Sequence, residues 1–180
     1  MKRALGILFA ISTLIITGCG STPSAPIFKT TNQFKIDNIH FKLSQLVTPE
    51  IEYHTEEEMK KIIIPQIEDR LQRANLLTND ESANNLFIFL DYQRRFVGDA
   101  SPFPSDSLST PFFGYTIEIR EGNKVISTIS RNRLIYKAGF TFNLKIVSGS
   151  LREKSDELTF LNALADKIID EIKNIRLQSN

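Results

Sequence analysis

The sequence predicts an α+β domain built as a two-layer sandwich, in which two helices cover one face of a mostly antiparallel sheet of four to five strands. Three observations predict this class. Short segments of alternating apolar residues are separated by turn residues, and two longer segments repeat apolar residues at helical spacing. Each helix also carries its apolar residues on one side only. The predicted order is β-α-β-β-β-(β)-α, whose first three elements form a right-handed crossover.

A strand and a helix begin the domain. Residues 34–46 alternate, and a change of phase near Asp37 predicts a β-bulge. Thr55, with Glu58 three residues later, is typical of a capping box at the start of a helix. Pro65 lies inside the helix and removes one backbone hydrogen bond, so we expect a kink. The apolar stripe of this helix consists of Met59, Ile63, Ile67, Leu71 and Ala74.

The middle of the chain predicts three strands and a long loop. Residues 86–96 begin with apolar side chains on both faces, which is typical of a central strand. A loop rich in proline and serine follows at residues 98–114. Gly122 and the asparagine after it separate the alternating segments 115–121 and 124–136, which predicts a hairpin.

The C-terminal part predicts one more strand and the second helix. Phe140, Phe142, Leu144 and Ile146 alternate as in a strand. Residues 156–175 repeat at helical spacing, and Ser155 precedes them as the expected N-cap. The apolar stripe of this helix consists of Leu158, Leu161, Leu164, Ala165, Ile168, Ile172 and Ile175.

Length and composition bound the class of protein. The 180 residues are 41% hydrophobic and 24% charged, which is typical of a globular domain that needs no disulfide or metal to fold. The formal net charge is only +1, so nucleic acid is not an expected partner.

The first residues are organised as an export signal. A short basic segment is followed by an apolar run at residues 4–16, which is too short to span a bilayer. Cys19, the only cysteine of the chain, lies just beyond this run. An ordinary secretory signal is the alternative, but it would leave a free thiol in an oxidising compartment.

Ile16, Thr17, Gly18 and Cys19 resemble the lipobox of bacterial lipoproteins. The resemblance implies cleavage after Gly18, a diacylglycerol on the Cys19 thiol and an acyl chain on the new amino terminus. Several acyl chains together form a stable membrane anchor. In Gram-negative lipoproteins an aspartate after the cysteine tends to retain the protein at the inner membrane. Gly20 occupies that position here, which implies the cell outer membrane.

Three regions follow from these patterns. Residues 1–18 are the expected signal peptide, residues 19–32 are the lipidated cysteine and a flexible tether, and residues 33–180 are a single α+β domain. The order of elements in the domain is loosely similar to that of the lipopolysaccharide-assembly lipoprotein and of other small periplasmic lipoprotein domains. This similarity concerns topology and assigns no functional residue.

We find no pattern typical of catalysis. His40 and His54 have no partner at metal-ligand spacing, and neither a nucleophile elbow nor a phosphate-binding loop is present. We therefore expect no enzymatic activity, no catalytic residue, no metal site and no cofactor other than the covalent lipid at Cys19.

Two groups of residues are candidates for binding. The loop at 98–114 brings Phe103, Phe112 and Phe113, which could bind a partner or could instead cover the open face of the sheet. The second group could bind lipid phosphates or an acidic partner, or could be solvated charges at strand ends. Its members are Arg94, Arg95, Arg131 and Arg133.

The expected function is that of an outer-membrane-anchored lipoprotein, facing the periplasm, whose non-catalytic domain acts as a binding or assembly accessory for an envelope protein. Two alternatives stay open. One is an accessory in lipid or glycolipid transport, and the other is a lipoprotein exposed on the cell surface.

Replacement of the lipidation site gives the first prediction. Cys19→Ser removes the only thiol that can accept the diacylglycerol, so the product should stay uncleaved or become soluble. Labelling of growing cells with a palmitate analogue should mark the parent protein and leave the variant unmarked. Normal anchoring and labelling of the variant would contradict the lipobox interpretation.

Overall fold

The computed structural model describes residues 31–136 and 139–178, with side chains up to Ile175. The predicted signal peptide, the lipidation site Cys19 and the tether up to residue 30 lie outside the described residues.

Four strands form one mixed sheet. They are β1 (Phe34–Gln45), β2 (Asn84–Phe96), β3 (Leu108–Glu121) and β4 (Lys124–Ile135), in the spatial order β1-β2-β3-β4. β1 is parallel to β2, while β2 with β3 and β3 with β4 are antiparallel. The register of β1 shifts between Ile36 and Asn38, which confirms the bulge. The predicted α+β class is confirmed.

Three helices complete the domain: α1 (Glu56–Arg73), α2 (Phe140–Val147) and α3 (Lys154–Gln178). Thr55 caps α1 as predicted, because its hydroxyl accepts from the Glu58 N–H and the Glu58 carboxylate accepts from the Thr55 N–H at 2.7 Å. α1 runs without interruption through Pro65. Within the described part of the chain, no helix has both the length and the apolar character that a bilayer span requires.

The hydrophobic core lies between one face of the sheet and the helices. β2 alternates strictly, so that Leu86, Ile88 and Leu90 are buried while their neighbours are half-buried on the opposite face. The buried residues of α1 are Met59, Ile63, Ile67 and Leu71. Those of α3 include Leu161, Leu164, Ala165, Ile168, Ile172 and Ile175, as its spacing predicted.

Three details of the prediction are wrong. The fifth strand is absent, because residues 140–147 form the helix α2. Ser155 is not an N-cap, since α3 already begins at Lys154. The loop after β2 is shorter than predicted, because β3 begins at Leu108 and continues through Pro111 to Glu121.

The packing of α1 generates a stability prediction. Ile63 is fully buried, so Ile63→Ala should lower the free energy of unfolding by about 2–5 kcal/mol through lost burial and a cavity. Ile62, its half-buried neighbour, is the matched control, and Ile62→Ala should have a clearly smaller effect. Urea unfolding followed by circular dichroism measures both, and equal losses would contradict the orientation of α1.

Candidate binding surfaces

Arg94 is not a surface residue. It occupies one of the buried positions in the alternating strand β2, and its exposed fraction is 5%. It forms an ion pair with the fully buried Glu157 of α3. The guanidinium is bidentate: Nε donates to Glu157 Oε1 at 2.6 Å and Nη2 donates to Oε2 at 3.2 Å. This pairing makes Arg94 unavailable to a lipid phosphate or an acidic partner.

The remaining donors of the pair join other elements. Arg94 Nη1 donates to Gln45 Oε1 at 2.7 Å at the end of β1, and Nη2 donates to the His54 carbonyl just before α1. The His54 N–H donates to Glu157 Oε2 at 3.0 Å, and the His54 ring nitrogen Nδ1 lies 3.0 Å from the same oxygen. We name this set, Arg94, Glu157, His54 and Gln45, the polar clamp.

Tyrosines near the buried carboxylates are held protonated. Burial, with a smaller contribution from Glu157, raises the pKa of Tyr53 to about 12 and raises the pKa of Tyr92 well above its usual value. Tyr115 donates to Glu171 Oε1 at 2.7 Å, and burial and this bond raise its pKa. The Tyr53 hydroxyl donates to the Asp106 carbonyl at 2.7 Å, so Tyr53 and Tyr115 both act as hydrogen-bond donors inside the domain.

The four predicted arginines do not come together. Arg131 of β4 lies 3.5 Å from Glu171 on the helix side of the sheet. Arg95 points to the opposite side of β2 from Arg94 and pairs with Asp99 at 2.6 Å. Arg133 lies over the same Phe112 ring as Arg95, with their guanidinium groups 5.1 Å and 4.7 Å from its centre, so only these two share one side of the sheet. The strands that carry them, β2 and β4, are separated by β3.

The face of the sheet opposite the helices carries aromatic rings beneath polar caps. We name it the outer face. Arg120 lies 3.7 Å from the centre of the Phe87 ring, and its guanidinium also pairs with Glu118. His40 stacks on Phe89 with ring centres 5.2 Å apart. Arg95 and Arg133 cover Phe112, at 4.7 Å and 5.1 Å. Phe112, which the sequence analysis placed in a loop, is a residue of β3, and its ring forms part of this face.

The three phenylalanines of the predicted loop lie in three different environments. Phe113 is buried in the core, where its ring lies 5.7 Å from that of Tyr92. Phe112 lies on the outer face. Phe103, in contrast, is 89% exposed on the connection between β2 and β3. Of the predicted aromatic residues, only Phe103 presents its ring to solvent.

Large exposed apolar residues occur at two further places. Leu46 follows the end of β1, and because β1 and β2 are parallel it lies at the same end of the sheet as Phe103. The others are distributed over β4 and α2: Val125 at the start of β4, Ile135 at its end, and Phe140, Leu144 and Val147 on α2. Sequence reasoning did not select α2, because its residues were assigned to a strand.

The described residues contain no group of three or more His, Cys, Asp or Glu side chains that could hold a metal ion.

The site residues that sequence reasoning missed are Glu157 and Glu171. Both fall on the apolar stripe of α3, four residues before Leu161 and four residues before Ile175, and that position indicates burial.

Comparison with known proteins gives fold similarities only. No protein-family model and no curated protein matches the chain. A minor lipoprotein from Acinetobacter baumannii is 17% identical over 79% of this chain and 94% of its own, with a TM-score of 0.40. A putative neuraminyllactose-binding hemagglutinin homolog from Helicobacter pylori is 13% identical over 85% and 97%, with a TM-score of 0.35. The rare lipoprotein B from Shewanella oneidensis is 15% identical over 74% and 98%, with a TM-score of 0.22.

Two of these three similar structures are lipoproteins of Gram-negative bacteria. With identities below 20% and such scores, we transfer no residue role and no ligand from any of them to this chain.

The polar clamp generates a prediction about charge burial. Arg94→Met leaves Glu157 buried without its partner, so the free energy of unfolding should fall by about 3–5 kcal/mol. The double variant Arg94→Met with Glu157→Gln removes both charges and should lose less than the sum of the single changes. A double-mutant cycle from urea unfolding measures this coupling.

A surface pair provides the control for this cycle. Lys35 and Glu81 are 2.7 Å apart, with the Glu81 side chain 85% exposed. Lys35→Gln should lower the free energy of unfolding by less than about 1 kcal/mol. If Arg94→Met were as mild as Lys35→Gln, the clamp would not stabilise the fold as described.

Proposed function

We propose that this chain is a lipid-anchored protein of the bacterial outer membrane whose domain works by binding an envelope protein rather than by catalysis. The observation that carries the proposal is the distribution of side chains in the described domain. Its buried charged side chains Arg94, Glu157 and Glu171 form ion pairs or hydrogen bonds with other residues of the domain. Apolar side chains such as Phe103, in contrast, are exposed to solvent.

Phe103 and Leu46 provide the contact for a protein partner. Both lie at one end of the sheet, with exposed fractions of 89% and 70%. The connections that carry them are joined, because the Glu50 N–H donates to Asp106 Oδ1 at 2.9 Å. An exposed aromatic side chain such as that of Phe103 is suited to the centre of a protein interface, with Leu46 adding apolar contact area.

The first described residue of the chain and this contact lie at opposite ends of the domain. Thr31, where the described chain begins, donates to Asn84 Oδ1 at 2.9 Å at the start of β2. Phe103 follows the end of β2, and a 13-residue strand is roughly 43 Å long. A protein held at the membrane by Cys19 would therefore present Phe103 away from the anchor, toward partners in the periplasm.

The transport alternative receives no support from the arginines. It needed Arg94, Arg95, Arg131 and Arg133 as one group, and Arg94 is buried while the others lie on two sides of the sheet. We therefore keep the protein-binding function as the proposal.

Site-specific photo-crosslinking in growing cells tests it. A photoreactive amino acid at Phe103 should give a discrete crosslinked protein adduct. The same amino acid at Glu68, which is exposed on α1, is the control and should give none. Phe103→Ser should lower co-purification of the captured protein without changing the unfolding midpoint, because the side chain contributes little to the core. An absence of adducts at Phe103, or the same adducts at both positions, would contradict the proposal.

A further inference from the structure

The two edges of the sheet differ in how their backbone is covered. β1 and β4 are the edge strands, and an edge strand directs every second N–H and C=O away from its neighbour. At the start of β1, the Phe34 N–H donates to the Leu76 carbonyl at 2.8 Å and the Thr78 N–H donates to the Phe34 carbonyl at 2.9 Å. Near the end of β1, the Leu43 N–H donates to Glu56 Oε2 at 2.9 Å. Other parts of the chain therefore bind the edge of β1.

The edge of β4 has no such cover within the described residues. β3 is the only strand or helix among them whose backbone packs along β4. Apart from the ladder with β3, the backbone of β4 makes one hydrogen bond in this part of the chain, in which Arg131 Nη1 donates to the Ser130 carbonyl at 3.3 Å. Ser130 thus directs its backbone groups to the free edge. Because this direction alternates along a strand, Thr128 does the same.

Irregular pairing at both ends of β4 defines the length of the free edge. The register of β3 with β4 shifts near Arg120 and again near Gly114. Between these shifts, residues 127–131 pair in an unbroken register with residues 115–119. Irregularities of this kind hinder the addition of a strand at the two ends of β4. We name residues 127–131 the open edge, and this segment contains neither proline nor a carboxylate.

Both faces of the sheet border the open edge. Ile129 lies on the helix side, opposite Ile117, and packs half-buried against the core. Ser130 lies on the outer face, where its hydroxyl is 3.0 Å from that of Thr116. A strand added here would lie in the plane of the sheet, so its side chains would extend from both faces. An apolar side chain of that strand would cover Ile129.

The charge around the open edge is positive. β4 carries Lys124, Arg131 and Arg133 but no aspartate or glutamate. Arg131 lies on the helix side, 3.5 Å from Glu171, and its side chain is 52% exposed. Arg133 lies on the outer face over Phe112. Lys124 and Arg133 form no ion pair with a carboxylate among the described residues. Since one cation precedes the open edge and two lie at its other end, the matching strand carries acidic residues at both ends.

Two other occupants match the open edge less well. A second copy that paired its β4 with this one about a two-fold axis would place Arg131 and Arg133 beside the Lys124 of the other copy. Like charges would then meet at both ends of the paired strands, which is unfavourable. The segment of this chain at residues 19–30 contains two prolines and one lysine but no acidic residue. Proline lacks the N–H that a ladder requires.

We propose that the open edge binds an extended segment of another protein by strand addition. The segment has a strand-forming, uncharged centre and acidic residues at both ends. Its backbone pairs with Thr128 and Ser130, and its carboxylates meet Arg131 and Arg133 at one end and Lys124 at the other. This contact is separate from that of Phe103 and does not rest on the proposed function.

Binding of designed peptides to the full-length protein in detergent tests the proposal. The probe is a labelled nine-residue peptide with two glutamates at each end and five alternating threonine and valine residues between them. Fluorescence anisotropy should show saturable binding. Replacing the four glutamates by lysine should weaken binding at least roughly tenfold. Methylating the five central backbone nitrogens keeps the charges but removes the N–H donors, and should also weaken binding at least roughly tenfold.

Amide hydrogen exchange, followed by NMR, locates the bound peptide. The Thr128 and Ser130 amides should exchange more slowly when the glutamate peptide is bound, whereas the Phe41 amide of β1 should not change. The double variant Lys124→Glu with Arg133→Glu should bind the peptide at least roughly threefold more weakly at an unchanged unfolding midpoint.

Two further variants are the controls. Lys42→Glu with Lys61→Glu makes the same change in net charge at exposed positions away from β4 and should leave the affinity unchanged. Phe103→Ser should also leave it unchanged, so that failure of this proposal and failure of the proposed function are distinguishable. Equal binding of the methylated peptide or of the lysine peptide would overturn strand addition by an acidic segment. Slow exchange at Thr128 that requires only a higher protein concentration would overturn it as well, because it would indicate pairing with a second copy.

Discussion

The buried ion pair of Arg94 and Glu157 is the constraint on which the arrangement of this domain depends. Each ion would lose several kcal/mol of hydration if it were buried alone, so β2 and the first turn of α3 must meet where the two charges are paired. The other donors of Arg94 reach Gln45 and the His54 carbonyl, which places the end of β1 and the start of α1 at the same point. One guanidinium thus fixes four chain segments relative to one another, and apolar packing fills the layer between them.

The alternation of a strand and the stripe of a helix define buried positions, and those positions include charged residues as well as apolar ones. Arg94 continues the buried alternation of Leu86 to Tyr92, and Glu157 lies on the buried stripe of α3. A charge in phase with buried neighbours indicates a buried, paired charge, whereas sequence reasoning considered Arg94 only as a residue that binds a lipid or partner or as a solvated charge at a strand end. The sequence does not reveal which acid is its partner, because that choice depends on how α3 crosses the sheet. The positions of β1, β2 and β4, the capping box and the hairpin turn were predictable, since their determinants are local.

The assignment of residues 140–146 failed for a geometric reason. In a helix two residues apart differ by about 200° around the axis, so alternating residues fall on nearly opposite sides. Phe142 and Ile146 therefore share one side, and Phe140 and Leu144 share the other. A pattern of period two is compatible with a strand that has one apolar face and with a helix that has two. The structure distinguishes them, because Phe142 and Ile146 pack on the core while Phe140 and Leu144 are exposed.

Aromatic rings on the outer face are capped by polar side chains, whereas the exposed ring on α2 is not. On the outer face the rings of Phe87, Phe89 and Phe112 are capped by arginine or histidine, so they are half-buried without any helix of the described residues above them. These caps make an open sheet face compatible with water. Phe140 has no such cap and is 80% exposed. The rings that this fold leaves unshielded, those of Phe103 and Phe140, therefore differ from the capped rings of the outer face and are the aromatic surface available for contact with another molecule.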